Sequence, residues 1–421
     1  MRIASSAKAM TAADGTTVLD VAGRPLVQLN SIAAAMWTKL TEGLSIEEMT
    51  GPIALQFNLP EERVARVLCG FVEMLKDHDL VKDSPRIMDY HAEMVWIKGI
   101  AARCDWRIPD EFPSGQGYGS IAEPRGLRGL KLASNLIPDP EAYRGIKAGD
   151  LVWVRLSWLR SFIEQVLPLV RAKFILVTGD SDLSTPLSIM AEAMTVLETP
   201  TVLHWYAQNC DGPGFMGRMS PIPIGLDFHT MSERPFWGEE ISSPIQQEFT
   251  LRSIRQELRP NRARVRKVYA DFAWQPSYLY RLERRQEILK QILINDSVIL
   301  QSRSLTRSQL WRTWGEYAFV LSPHGVGLDC HRTWEALACG HIVLVPSSPL
   351  DRLYEGLPVV PIRDWTQITP RNLEFWMDRY SECDISDANL TSKYWVDKMR
   401  EMASNQLGSG QISRKGISAS P

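Results

Sequence analysis

Residues 319–345 read FVLSPHGVGLDCHRTWEALACGHIVLV, and this stretch decides the fold class. An apolar run leads into a turn that is broken by glycines and rich in His and Asp. An amphipathic stretch and a second apolar run follow. This order predicts a strand, a helix that begins near Asp329 and ends at Gly340, and a second strand parallel to the first.

The turn before this helix has the composition of an anion-binding site. Gly325 and Gly327 permit conformations that other residues avoid, and they let the backbone approach a ligand closely. The free N–H groups and positive dipole end of the helix attract an anion. Arg332 adds a cation suited to a diphosphate, and Glu335 can accept hydrogen bonds from paired hydroxyls such as those of ribose. An ordinary helix start with surface ion pairs is the alternative.

Strands and helices alternate through most of the chain, which indicates mainly parallel sheets with ligands at the carboxyl ends of the strands. The alternation occurs twice. We therefore predict an α/β protein with two Rossmann-like domains, at residues 86–260 and 261–403. Neither half has G-x-G-x-x-G after its first strand, so the dinucleotide fingerprint is missing. Residues 404–421 are polar and rich in Gly and Ser, which predicts a disordered tail.

Acidic and histidine side chains follow two predicted strands of the first half. Asp180 and Asp182 form a D-x-D pattern, which holds a divalent ion in some transferases but often arises by chance. We expect no metal there; these carboxylates would instead bind an acceptor or act as the catalytic base. Asp227 and His229 compete for the role of base. The sequence does not decide among these four residues.

Composition restricts the surroundings and partners of the protein. The net charge of -2 gives no overall attraction to nucleic acid or to an anionic membrane. No apolar run approaches the roughly 20 residues that span a bilayer, and the N-terminus lacks the apolar core of a signal peptide. The six cysteines are scattered without a C-x-x-C pair, as is typical of reduced thiols. We expect a cytoplasmic protein with no nucleic-acid or membrane partner.

Residues 1–85 are predicted to form a separate, winged-helix-like domain. Two short strands flank a turn at residues 22–23, and three helices follow. The third helix has one apolar stripe, formed by Val64, Val67, Leu68, Phe71, Val72 and Leu75. Acidic residues outnumber basic residues in this domain, which opposes DNA binding.

Two segments of this domain, TVLDVAGRPLVQLNSIAAAMWTKLTEGLSIEEM and LPEERVARVLCGFVEMLKDHDLV, resemble the PqqD-like domain. The likeness lies in the strand pair, the LN before a helix that contains Trp37, the S-I-E-E helix start and the final DLV. Such domains are recognition elements of ribosomally made, post-translationally modified peptides. The resemblance implies that a leader peptide adds a strand to the sheet edge beside the third helix. A structural appendage without a partner is the alternative.

The longer segment FVLSPHGVGLDCHRTWEALACGHIVLVPSSPLDRLYEGLPVV (residues 319–360), continuing into DW at 364–365, is similar to the nucleotide-sugar-binding half of exostosin-like glycosyltransferases. The shared features are SP-x-G-x-G-x-D-x-HR-x-x-EAL-x-x-G-x-I and a later SSPL loop. The resemblance implies the GT-B fold, in which two Rossmann-like domains face each other. It assigns Glu335 to the ribose, and Arg332 with the loop from Ser322 to Gly327 to the diphosphate. His324 stands where many relatives have an arginine.

The two resemblances together imply a glycosyltransferase that moves a sugar from a nucleotide sugar to a precursor peptide held by its leader. We expect a UDP-sugar as co-substrate and neither a tightly bound cofactor nor a metal. Two alternatives stay open: a transferase that acts on a glycan or small molecule, and a peptide-binding partner protein without catalysis.

Overall fold

The computed structural model divides the chain into two compact units, Met1–Met88 and Asp89–Pro421. Each unit has a hydrophobic core of its own. Within the described part of the chain, no helix combines the length and apolarity needed to cross a bilayer. The structure describes residues 2–3, 7–11, 17–21, 24–41, 44, 46–77, 81–82, 92–108, 136–137, 139–233, 235–272, 282–301, 304–380 and 387–415.

The first unit combines a small antiparallel sheet with three helices. The sheet has the strand order β2-β3-β4, and the two-residue strands β1 and β5 pair separately. The pairing of β3 with β4 confirms the predicted hairpin, and β2 is an additional strand at its edge. The elements are β1 (Arg2–Ile3), β2 (Ala7–Thr11), β3 (Thr17–Val21), β4 (Arg24–Leu29), α1 (Ser31–Thr41), α2 (Ile46–Phe57), α3 (Glu61–Asp77) and β5 (Val81–Lys82).

The core of the first unit follows the predicted apolar pattern with one exception. Leu19 of the sheet and Trp37 of α1 are buried with Val64 and Leu68 of α3. Val67 belongs to the predicted apolar stripe, but the residue is 49% exposed. The core-facing stripe of α3 is narrower than the run of apolar letters, so Val67 lies at its edge and presents apolar surface to solvent.

The first half of the second unit is built on a five-stranded parallel sheet with the order β10-β9-β8-β7-β6. The strands are buried apolar runs, as expected for a parallel sheet covered on both faces. The elements are α4 (Ile97–Ala102), β6 (Trp106–Ile108), β7 (Leu151–Arg155), α5 (Leu159–Ser161), β8 (Phe174–Gly179), α6 (Met190–Glu198), β9 (Val202–Ala207), β10 (Met219–Pro221), α7 (His229–Glu233) and α8 (Pro244–Glu257).

The second half has another five-stranded parallel sheet, with the order β12-β11-β13-β14-β15. The chain therefore reverses direction across this sheet between β11 and β13, and such a switch point opens a crevice at the strands' carboxyl ends. The two sheets confirm the predicted pair of Rossmann-like folds. The elements are β11 (Val265–Ala270), α9 (Leu282–Ile292), β12 (Val298–Leu300), α10 (Arg307–Trp314), β13 (Tyr317–Leu321), α11 (His331–Ala338), β14 (Ile342–Pro346), β15 (Val359–Ile362) and α12 (Pro370–Tyr380).

The last helix, α13 (Ser392–Lys415), corrects two expectations. We assigned residues up to 403 to the second half, but Trp395, Val396 and Met399 of this helix are buried in the core that surrounds the first sheet. We also predicted disorder from residue 404, whereas the helix continues to Lys415. Apolar side chains on one face of α13 explain both differences, because Leu407 packs against the same core. Residues 416–421 lie outside the described part.

A glycine turn after β10 leads the chain into the crevice between the sheets. Gly225 has φ +69°, and a Cβ at this position would lie 2.2 Å from the Val95 carbonyl oxygen. Leu226 donates its N–H to that oxygen at 2.8 Å, so the turn is tied to the strand-like segment before α4. Two residues later the chain reaches Asp227.

We expect Gly225→Ala to lower the free energy of unfolding by about 2–5 kcal/mol, which combines the left-handed backbone with a steric clash. Gly217→Ala is the matched control, because Gly217 has the same φ of +69° but no neighbour within 4 Å. It should cost only about 1–2 kcal/mol. Urea unfolding followed by circular dichroism measures both variants. Equal losses would show that the close approach to Val95 contributes nothing.

Candidate functional site

The loop of residues 322–327 and the start of α11 lie at the switch point of the second sheet. Ser322 follows β13 directly, and Asp271 follows β11, so the two residues flank the crevice. Cys330 is the N-cap residue of α11, and no side chain caps this helix start. Backbone N–H groups at the helix start therefore face the edge at which a parallel sheet binds ligands.

Arg332 lies over this crevice and is held by a buried carboxylate. Its Nε lies 2.9 Å from Oδ1 of Asp271. Burial raises the pKa of Asp271, and the Arg332 guanidinium opposes that rise. The ion pair fixes the cation that we predicted for the diphosphate, and Asp271 is a partner that the sequence did not reveal.

The two glycines of the loop are required by close packing around them and not by an unusual backbone conformation. Neither Gly325 nor Gly327 is among the described glycines with positive φ, contrary to the expectation of unusual torsions. A Cβ on Gly327 would instead lie 2.6 Å from Nδ2 of Asn209, and one on Gly325 would lie 3.3 Å from Sγ of Cys330. Gly327 therefore allows the first half to approach the loop.

The remaining loop residues have internal partners. The Ser322 hydroxyl is buried and lies 2.9 Å from the Thr333 hydroxyl, so it links the loop to α11 and is a poor candidate for a phosphate contact. The carbonyl oxygen of His324 accepts a hydrogen bond from Nε of Arg285 at 2.9 Å. Burial lowers the pKa of Arg285, and the neighbouring Arg332 is among the further causes. Arg285 on α9 is thus a second cation at the loop.

Glu335, our candidate for ribose binding, already has two donors. Its Oε1 accepts from Arg307 at 2.5 Å and its Oε2 accepts from Nε1 of Trp311 at 3.0 Å. The residue is 7% exposed. Each carboxylate oxygen can accept a further hydrogen bond, so the ribose role stays a prediction. The contacts with α10 hold the carboxylate in one orientation.

Asp227, His229 and His331 form a cluster in which one ligand atom from each residue lies within 4.8 Å of the others. Asp227 Oδ1 lies 3.0 Å from Nδ1 of His229, and Thr230 donates to both carboxylate oxygens. Burial alone would raise the pKa of Asp227, but the two histidines hold it well below its usual value. His331 places Nδ1 2.7 Å from the carbonyl oxygen of Gly225.

This cluster joins two residues that we predicted with one that we missed. His331 is the first residue of α11, and Asp227 and His229 come from the other half. The only local signal for His331 was its place among the polar residues of the 319–345 stretch. The three side chains have donor types that can hold a divalent ion, and Asp227 and His229 also form an acid–base pair beside a helix start.

The D-x-D segment lies nearer to the loop than its place in the first half indicated. Nδ2 of Asn209, the residue that meets Gly327, donates to the carbonyl oxygen of Ser181 at 3.0 Å. Asp180 has φ +56° and pairs with Arg155 at 3.0 Å, whereas Asp182 is exposed. These carboxylates do not belong to the metal-capable group found among the described residues.

A buried aspartate ties the two halves together behind the loop. Both oxygens of Asp329 accept hydrogen bonds, and the donors are the backbone N–H groups of Ile224 and Cys330, Nε1 of Trp334 and the hydroxyl of Tyr354. Ile224 belongs to the first half and the others to the second. This network fixes α11 against the turn that carries Asp227.

Comparison with known proteins identifies the first unit. Residues 15–81 match the family model described as coenzyme PQQ synthesis protein D (PqqD). This match confirms the PqqD-like resemblance for that segment, which is a small part of the chain. No curated protein is significantly similar to the chain in sequence.

Solved structures give only distant likenesses. An α,α-trehalose-phosphate synthase (UDP-forming) from Burkholderia vietnamiensis is 12% identical, over 65% of this chain and 73% of that chain, with a TM-score of 0.29. A trehalose 6-phosphate synthase from Burkholderia multivorans is 11% identical, over 64% and 73%, with 0.34. The pneumococcal O-GlcNAc transferase GtfA, in complex with UDP and GlcNAc, is 10% identical, over 63% and 59%, with 0.29. Superpositions this loose assign no residue a role.

We expect Glu335→Gln to lower the free energy of unfolding by about 3–5 kcal/mol, because it leaves the buried Arg307 charge without its counter-ion. Glu257→Gln is the control, since Glu257 pairs with Arg312 at the surface, where an ion pair contributes about 1 kcal/mol or less. Replacing both Arg307 and Glu335 by Met and Leu should recover much of the loss. A loss below 1 kcal/mol for Glu335→Gln would show that the pair is solvated.

Proposed function

We propose that this protein is a glycosyltransferase that transfers a sugar from a nucleotide sugar, with UDP-sugar as the expected donor, to a ribosomally made precursor peptide. The observation that carries the proposal is the meeting of Asp227 and His229, from one half, with the start of α11, from the other. Glycosyl transfer needs a proton acceptor for the attacking hydroxyl and positive potential for the leaving diphosphate. In this proposal the crevice supplies both.

In the proposed site, the nucleotide-sugar donor is bound mainly by positively charged groups. The uncapped start of α11 and the cations Arg332 and Arg285 surround the 322–327 loop. These groups would stabilise a diphosphate, and their effect is largest where negative charge grows as the sugar leaves. Arg332 is pinned by Asp271, so little reorganisation is needed when the charge develops.

The acceptor half is an acid–base pair. The pKa of Asp227 lies well below its usual value although burial opposes this, and its Oδ1 faces Nδ1 of His229. A proton on Nδ1 would be held by this carboxylate, which leaves Nε2 of His229 to accept the proton of the acceptor hydroxyl. In this proposal His229 is the base and Asp227 orients it. Asp180 and Asp182 are the competing bases.

The first unit supplies the peptide end of the proposal. Residues 15–81 match the PqqD model, and β2 and β4 are edge strands of the described three-stranded sheet. An edge strand offers unpaired N–H and C=O groups to an extended leader peptide. Val67 on α3 adds an exposed apolar side chain. Tethering the leader raises the effective concentration of the core peptide to the millimolar range for a short linker, so the crevice needs few core contacts.

His229→Ala should lower kcat by about 10²- to 10⁴-fold with little change in donor KM, because the general base acts in the transition state. Asp182→Asn decides between the base candidates, since Asp182 is exposed and its replacement does not disturb the core. It should leave kcat within about twofold. Steady-state assays with a UDP-sugar and a precursor peptide measure both variants. A large loss for Asp182→Asn with a small one for His229→Ala would reverse the assignment.

Val67→Asp should reduce transfer to a full precursor peptide by about tenfold or more, because it places a charge on the surface proposed for the leader. Hydrolysis of the UDP-sugar should not change, since residues of the second unit form the crevice. Leu55→Asp is the matched control: Leu55 lies on α2 and is 86% exposed. If the Val67→Asp variant modifies the precursor peptide as fast as the wild type does, the proposal that α3 recognises the leader is wrong. Unchanged transfer after deletion of the whole first domain would favour a glycan or small-molecule acceptor.

A further inference from the structure

A tight turn at residues 236–239 presents a tryptophan in an unusual position. The backbone N–H and C=O groups of Phe236 and Glu239 exchange two hydrogen bonds, at 3.1 and 3.0 Å. The two central residues, Trp237 and Gly238, have φ values of +49° and +71°. Positive φ at both central positions is the mark of a type I′ turn, whose first central position favours Asn, Asp or Gly. A tryptophan there is conformationally costly, so its ring is expected to have a use.

The turn is pinned to the start of α10. Arg307 donates its backbone N–H to the carbonyl oxygen of Trp237 at 3.3 Å, and Ser308 donates its own to Oε1 of Glu239 at 2.6 Å. The Arg307 guanidinium lies 4.9 Å from the Trp237 ring centroid and 4.7 Å from that of Trp311. Arg307 therefore backs the Trp237 ring, which is 39% exposed.

We infer that Trp237 is the stacking platform for the nucleobase of the donor. This inference rests on the proposed function, because it uses the diphosphate and ribose positions assigned to Arg332 and Glu335. These residues lie about 4.5 Å apart along α11, in the order in which a nucleotide presents diphosphate and ribose. The Arg307 guanidinium links Glu335 to the Trp237 ring, so we place the base, the group beyond the ribose, at that ring.

Stacking on the Trp237 ring would bind a nucleobase without selecting one particular base. Every nucleobase has a π-face that stacks on an indole ring. The cation beneath Trp237 is held by Glu335 and by Gln247, whose Oε1 accepts from Arg307 at 2.7 Å. Ring, cation and carboxylate thus form one contiguous set of contacts, with the proposed base platform at one end and the proposed ribose position at the other.

The test uses the full chain and isothermal titration with UDP, ADP and GDP, with inorganic pyrophosphate as the reference that lacks a base. Trp237→Asn removes the ring and supplies a residue that a type I′ turn favours, so the melting temperature should hold or rise. Nucleoside diphosphates should bind about five- to 150-fold more weakly, the range for loss of one base–aromatic stack. Pyrophosphate binding should not change, and Trp237→Phe should restore most of the loss.

Phe249→Ala is the control for loss of an exposed aromatic, because Phe249 is 72% exposed on α8. It should leave all affinities unchanged. The inference is overturned if Trp237→Asn leaves nucleoside diphosphate binding unchanged or weakens pyrophosphate binding equally. It is also overturned if only the UDP-sugar, and not UDP, binds more weakly, since the platform would then serve the sugar. A wild-type protein that binds neither pyrophosphate nor any nucleoside diphosphate would refute the proposed function itself.

Discussion

The Asp329 carboxylate is the interaction on which the site depends. It is buried and accepts hydrogen bonds from donors of both halves of the second unit. Burial raises its pKa, while these hydrogen bonds favour the charged form. Removing one partner of such a network leaves buried donors unsatisfied, at about 1–3 kcal/mol each. The network therefore holds α11 in one position, from which His331 reaches Gly225 and Gly327 reaches Asn209.

Local patterns predicted the elements of the fold well, because strands and helices follow from periodicity within a few residues. The two parallel sheets and the hairpin of the first unit are of this kind. Local patterns did not show which part of the fold each apolar side chain packs against. Val67 belongs to an apolar stripe and yet is exposed to solvent. Helix α13 packs against the first parallel sheet, whose strands lie far from it in sequence. Both outcomes depend on tertiary contacts that a local pattern does not contain.

The candidate site divides in the same way. The positions of Arg332, Glu335, Asp227 and His229 in turns and first helix turns at the carboxyl ends of strands could be predicted, and their roles stay predictions. Their partners could not be predicted. Asp271, Arg307, Arg285 and Asn209 look like ordinary polar residues in the sequence, and each meets its partner only after the sheets have formed. The glycines show the limit most clearly, since their composition indicated unusual torsions whereas the structure shows that Gly327 makes room for Asn209.

The charges at the crevice follow from these pairings. Arg332 pairs with Asp271, Arg285 donates to the carbonyl oxygen of His324 in the same loop, and the start of α11 adds its dipole. The Glu335 charge, in contrast, is fully opposed by Arg307. Cationic side chains thus gather at the 322–327 loop, whereas Glu335, three residues after Arg332 on α11, is paired with Arg307. Under the proposed function, a diphosphate would meet these cations and the neutral nucleoside would follow along α11. Buried ion pairs seldom increase stability over apolar packing, so we infer that their value here lies in fixing these side chains before a ligand arrives.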